Sequence, residues 1–304
     1  MIGYRNEHTI ASTCEVTGRG YWSGQSVRIR FQPASVGTGV VFVRTDLAGH
    51  PQCPARIEFA DSIQFRTNLQ NGDASFAMVE HLMAALAGLE IDNCVVEVDA
   101  EEMPGLDGSS KEFVIALQSA GLVVQAALKP QLVIEHPLRV RQGDACIEVM
   151  PCEGSRSHFG YRLDYGTESV IPNQSFMIDL TPRQFTRQVA AARTFVTLEQ
   201  AQQLRSSGVA QHVSNQELLV IGPDGPVENE FRFRNECARH KTLDLIGDLS
   251  LVGVDLIGQF VSERGGHRIN GMLAQKLAQM VAHAATPHQV KDDSESVNKI
   301  RRVA

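Results

Sequence analysis

The chain lacks the cysteine patterns that staple small secreted domains or hold structural metals. Its six cysteines, at positions 14, 53, 94, 146, 152 and 237, form no CxxC pair and no framework spacing, so they read as buried or free thiols of a reducing compartment. A basic excess is also missing: 28 Lys and Arg against 35 Asp and Glu give a formal net charge of −7. Nucleic acid is therefore not an expected partner, nor is a membrane surface reached by bulk electrostatics. No stretch reaches the roughly 18 apolar residues of a membrane span, and the N-terminal MIGYRNEHTIAS carries charge where a secretory leader needs an apolar run. These absences predict a cytoplasmic protein that is not an integral membrane protein. What remains is ample for a core: 304 residues, 43% hydrophobic and 21% charged, a composition that excludes coiled coil, collagen and wholesale disorder and suits two domains.

The first third mixes short strand-like runs, at 26–31 and 40–44, with turns rich in Gly, Pro, Asn and Asp. Near Met78 the period changes, and Val79, Leu82, Met83, Leu86 and Leu89 recur at helix spacing with Gly88 near the end. A β-branched strand at 93–98 and an amphipathic helix at 111–120 follow. Composition shifts around Lys129-Pro130, which predicts a domain at 1–126, a second at 127–285 and a polar tail at 286–304. The second half repeats the order of the first. Strands at 146–150, 159–165 and 175–179 precede a helix capped by Thr181 with Pro182 in its first turn. Then come a long helix at 235–249, a strand at 256–260 and a helix at 271–284. The echo extends to residues: Glu80-His81-Leu82-Met83-Ala84-Ala85-Leu86 is answered by Arg239-His240-Lys241-Thr242-Leu243-Asp244-Leu245. Duplicated domains facing each other would bring these helices together, although two amphipathic helices can also look alike by chance.

His240 and Asp244 are four apart, so on a helix both reach one cation from the same face. Zinc accepts imidazole nitrogen and carboxylate oxygen, and a catalytic site leaves a position open beyond three protein ligands. His81, on the echoing helix, is the candidate third ligand, and Glu80 beside it points about 100° away around the axis, where a carboxylate serves as a general base. Taken alone, an i,i+4 His/Asp pair also fits a surface or capping contact, and His267 after Gly265-Gly266 also fits a turn.

Six segments, in this order, decide between those readings. They are Met78-Val79-Glu80-His81-Leu82, Gly88-Leu89-Glu90-Ile91-Asp92-Asn93, Pro104 with Leu106-Asp107-Gly108-Ser109, Ala192-Arg193-Thr194-Phe195, Arg239 through Leu249, and Gly266-His267-Arg268-Ile269-Asn270. Together they resemble the motifs of the UDP-3-O-acyl-N-acetylglucosamine deacetylase family, zinc hydrolases of lipid A biosynthesis. The resemblance implies an α+β fold of two similar domains, each a β-sheet packed against α-helices, with the active site between the layers. It implies that His81, His240 and Asp244 bind Zn2+, with Fe2+ also accommodated by such a donor set. It implies Glu80 as general base, His267 as general acid or oxyanion-stabilising cation, Asp248 as its orienting partner, Thr194 as a hydroxyl donor and Lys241 as a residue lining the site. Phe195, Trp22, Thr194 and Lys241 are expected to contact a UDP-linked acylated amino sugar, and a monomer is expected.

Two departures accompany the resemblance. Gly20-Tyr21-Trp22-Ser23-Gly24 stands where the family has Gly-Leu-His-Ser/Thr-Gly, so the only tryptophan replaces an imidazole. After Phe195 the family places an apolar helix and a Gly-Gly-Ser loop that form a passage for the acyl chain, whereas Val196 to Leu204 and His212 to Gln216 are largely polar here. Buried amides without partners are costly, so the acyl passage is expected to be short, reshaped or absent. The alternatives are a related zinc amidase acting on another acylated amino sugar and a non-catalytic paralogue.

Overall fold

The computed structural model describes residues 5–62, 65–208 and 210–285; the tail expected at 286–304 lies outside the described residues. Two sheets with the same topology are built from alternating sequence. In Ser26–Pro33, Val27, Ile29 and Phe31 are buried while Ser26, Arg28 and Arg30 face solvent, the signature of a strand with one covered face. It lies in a five-stranded sheet of order Cys14–Arg19, Ser26–Pro33, Cys94–Val98, Val40–Arg44, Gln52–Pro54. The second sheet has the order Leu138–Gln142, Ala145–Met150, Gln259–Glu263, His158–Leu163, Gln174–Asp179. In each, neighbours are antiparallel except one parallel pair at the same place, Val40–Arg44 with Cys94–Val98 and His158–Leu163 with Gln259–Glu263.

A parallel pair needs a crossover, and each crossover carries a small three-stranded sheet and a buried helix. The first holds Ala60–Ser62, Thr67–Asn71 and Ala74–Phe76, then helix α1 (Glu80–Gly88); α2 (Lys111–Ser119) follows the crossover. The second holds α3 (Pro182–Gln188), strand Phe195–Thr197, α4 (Leu198–Ser206) and strands Leu219–Gly222 and Gly225–Pro226. Helix α5 (Glu236–Ser250) then occupies the place of α1, and α6 (His267–Ala285) that of α2. Thr181 caps α3 by accepting from the Gln184 N–H at 3.2 Å, with Pro182 in the first turn.

Helices α1 and α5 pack on each other and are buried almost all round, as helices covered on every side must be. Their approach depends on Gly247, where a Cβ would stand 2.1 Å from the Glu80 carbonyl oxygen. One contiguous core spans both halves, from Phe31, Phe42 and Phe76 to Phe159 and Phe260. All six cysteines are free.

Two sequence-based boundaries need correction. The strand expected at 256–260 is two strands, Asp255–Ile257 pairing in parallel with Gln131–Val133 and Gln259–Glu263 entering the large sheet. They divide at Gly258, where a side chain would collide with Ile134. The helix expected from 271 begins at His267 instead. Gly271 weakens the helical pattern locally, but Ile269, Leu273, Ala274 and Leu277 are fully buried and their packing overrides it.

Candidate active site

Polar side chains on the buried α1–α5 pair converge at one point. His81 enters from the first turn of α1 and His240 and Asp244 from successive turns of α5, and their ligand atoms all lie within 4.8 Å of one another. His240 Nε2 is 3.2 Å and His81 Nε2 3.6 Å from the same oxygen, Asp244 Oδ1, and the two rings meet edge to face at 5.0 Å. Among the described residues this is the cluster able to hold a metal ion.

The protonation of His240 gives the cluster its meaning. Its Nδ1 lies 3.1 Å from the Ala192 carbonyl oxygen, which can only accept, so Nδ1 carries the proton and Nε2 presents a lone pair. Burial drives the ring down to about 3 against the weaker pull of Asp244, so it is neutral. Burial alone would raise the Asp244 carboxyl, but the charged Lys241 and His267 outweigh it and hold it well below the usual carboxylate range, so it is an anion. Its Oδ1 is buried without a hydrogen-bond partner. A carboxylate lone pair and an imidazole lone pair thus face each other in a buried site, an arrangement that repels unless a cation lies between them. The donor set, two imidazoles and one carboxylate, fits a divalent ion such as zinc.

A second buried group adjoins the first. Glu80 is 2% exposed, and burial raises its carboxyl above the usual value although His267 and His81 oppose this. Its Oε2 accepts from the Thr67 N–H at 3.0 Å, while Oε1 lies 4.0 Å from His267 Nε2. His267 Nδ1 donates to Asp248 Oδ2 at 2.9 Å. Burial lowers the His267 pKa, but Asp248 and Asp244, then Glu80, outweigh it and bring it up to about 9, leaving Nε2–H available to the site. Asp248 is held in turn by the Thr67 hydroxyl at 2.7 Å and Asn270 Nδ2 at 2.8 Å.

The remaining candidates occupy the rim. Lys241 Nζ donates to Asp244 Oδ2 at 2.9 Å, and this anion outweighs burial and keeps the ammonium charged. Thr194 is half-buried and follows the Ala192 carbonyl that orients His240. The Phe195 ring stands 6.2 Å from His240 and 6.3 Å from Tyr165. Trp22 lies further out, its backbone N–H donating to Glu102 Oε1 at 2.8 Å, its ring 6.2 Å from Phe65 and under the Arg66 guanidinium at 5.1 Å. Arg66 immediately precedes Thr67, which ties this aromatic group to the floor of the site. Helix α4 is largely solvated, with only Ala201 buried.

Sequence reasoning missed Thr67, Asn270 and the Ala192 carbonyl as partners of the site. Asn270 was accessible through its i+3 spacing from His267. Thr67 carried no local signal, since it lies in an ordinary short strand, and a backbone carbonyl leaves no trace in a sequence at all.

A family model described as UDP-3-O-acyl N-acetylglycosamine deacetylase matches residues 7–279. Among curated relatives, a UDP-3-O-acyl-N-acetylglucosamine deacetylase of Nostoc sp. is 38% identical over 276 residues, covering 89% of this chain and 98% of the relative. Proteins of the same description from Thermosynechococcus vestitus and Anaeromyxobacter dehalogenans are each 39% identical, over 90% and 91% of this chain and 94% and 89% of their own lengths. Among the described residues no helix is long and apolar enough to cross a membrane.

Proposed function

Because the chain belongs to the UDP-3-O-acyl N-acetylglycosamine deacetylase family, we propose that it hydrolyses the acetamide of a UDP-3-O-acyl-N-acetylglucosamine, releasing acetate in lipid A biosynthesis in the cytoplasm. The observation that carries the catalytic reading is the facing pair of lone pairs on His240 Nε2 and Asp244 Oδ1. With His81 they would hold Zn2+, and Fe2+ suits the same donors. Such an ion, when bound, supplies a Lewis acid for the amide carbonyl and acidifies water toward a pKa of about 7.

The chain's own groups do the rest. Glu80, fixed by the Thr67 N–H, takes a proton from the attacking water, and its raised pKa makes it a stronger base than a solvated carboxylate. The Thr194 hydroxyl and protonated His267 donate to the oxygen on which charge develops. His267 Nε2 then protonates the departing amine, while Asp248 stabilises the imidazolium and holds the ring's orientation. Charged Lys241 meets an anionic or polar part of the substrate, and Phe195 and Trp22 supply flat apolar surface to it.

The exposed, polar α4 favours an acyl contact that is shorter or differently shaped than an apolar passage. Deacetylation of long-chain, short-chain and unacylated UDP-GlcNAc derivatives tests both points. Turnover of the acylated nucleotide sugar, together with a Glu80→Ala variant that keeps stoichiometric metal and loses turnover, supports the proposal. No rate on any of the three, with metal bound, moves the chain to an amidase of another acylated amino sugar or to a non-catalytic paralogue.

A further inference from the structure

Arg193 and Glu236 form an ion pair, with side chains 3% and 0% exposed, that the reaction itself does not use. Arg193 Nε donates to Glu236 Oε1 at 2.8 Å and Nη2 to Oε2 at 3.2 Å. The Arg193 N–H also reaches Oε1 at 3.1 Å, and Nη1 donates to Asn229 Oδ1 at 2.8 Å. Glu236 opens α5, where the helix dipole favours a carboxylate, and lies one turn before His240. A buried ion pair contributes little net stability compared with apolar residues of the same volume, so its effect is better sought in the geometry that it imposes.

That geometry is specific. The residue before Arg193 is Ala192, whose carbonyl accepts from His240 Nδ1 and thereby turns Nε2 toward Asp244. The residue after it is Thr194, whose N–H donates to the Gly108 carbonyl at 2.7 Å. Two residues beyond Gly108, Ser110 Oγ donates to the His81 carbonyl at 2.7 Å. One clamp on residue 193 therefore registers the Ala192 carbonyl against α5 and connects the same backbone to α1.

We propose that Arg193 and Glu236 are positioning residues for the metal-binding cluster, acting on His240 through the Ala192 carbonyl and on the rim through Thr194. The inference rests on the metal-binding reading above. Outer partners that orient a ligand imidazole typically influence metal affinity by about 10- to 100-fold, whereas a purely structural pair alters unfolding alone.

The test uses the full chain, stripped of metal and titrated with Zn2+ against a chelator of known affinity, with thermal unfolding of each metal-free variant recorded beside it. Glu236→Gln keeps the shape and removes the charge, and the Arg193→Met/Glu236→Leu double variant replaces the pair by apolar bulk and is expected to fold. Both should bind Zn2+ about 10- to 100-fold more weakly while unfolding cooperatively, with turnover at saturating Zn2+ also reduced. If neither folds, Asn229→Ala, which removes a half-buried partner of Arg193, decides by a loss toward the lower end of that range, about 10-fold. Folded variants with the Zn2+ affinity of the wild type overturn the inference alone. A wild-type chain that binds no Zn2+ overturns it together with the metal-binding reading.

Discussion

Asp248→Asn separates charge from shape at the buried His267. The variant amide can still hydrogen-bond: its NH2 can donate to the Thr67 hydroxyl while its oxygen accepts from His267 Nδ1 and Asn270, the partners Asp248 now holds. What disappears is the negative charge. In the wild type, burial pushes the imidazole down and the carboxylates of Asp248, Asp244 and Glu80 bring it to about 9, against 6.5 when solvated. A histidine raised in this way contributes stability that is fully present below pH 6.5 and is lost as pH rises through 9. At 1.36 kcal/mol per pKa unit the interval corresponds to roughly 3 kcal/mol, with little solvent screening because the side chain is 5% exposed. Urea unfolding of metal-free wild type and variant at pH 6, 8 and 10, with NMR titration of the His267 ring, measures both quantities. The wild type should lose roughly 3 kcal/mol more than the variant across that range, and the variant ring should titrate near 6.5 or below. Parallel pH dependences, or a wild-type ring that already titrates at 6.5, would refute the electrostatic account.

Thr194→Val should leave bound zinc unchanged and lower kcat on the order of 100- to 1000-fold, the usual effect of losing one oxyanion donor, as single-turnover kinetics would read. Gly247→Ala drives a Cβ into the Glu80 carbonyl and should destabilise the metal-free chain by about 1–3 kcal/mol in urea, as overpacking does. Chelator competition should also show weaker Zn2+ binding by that variant, because α1 and α5 are forced apart. Trp22→Ala should raise KM with kcat nearly constant, since Trp22 lies with Phe65 and Arg66 away from the reacting groups; an equal fall in kcat would place it at the chemistry instead.

Period and turn chemistry were enough to find most elements. The alternation of Val27, Ile29 and Phe31 is the local consequence of one covered face, and the recurrence of Leu82, Leu86 and Leu89 gave the helical period of α1, although that helix is covered nearly all round. Thr181 and Pro182 announced α3 in the same local way. Errors came where packing opposed local preference. Gly258 divides the segment expected as one strand at 256–260, because Ile134 leaves no room for a side chain there. Gly271 is retained inside α6 because its neighbours are buried. His240 and Asp244 stood out by their four-residue spacing and His81 by its place on the echoing helix, but the spacing allowed a capping contact as readily as a metal site.

The chain's covalent order determined which donors exist, that helices carry His81, His240 and Asp244, and to which family the chain belongs, since each of these is written in neighbouring residues. Only the tertiary structure decided what those donors are. The Ala192 carbonyl selects the tautomer of His240, Thr67 steadies both Glu80 and Asp248, and burial takes His240 down to about 3 while Asp248, Asp244 and Glu80 outweigh burial at His267 and bring it up to about 9. Those properties depend on distance and on exclusion of water, which exist only after residues far apart along the chain have been packed together.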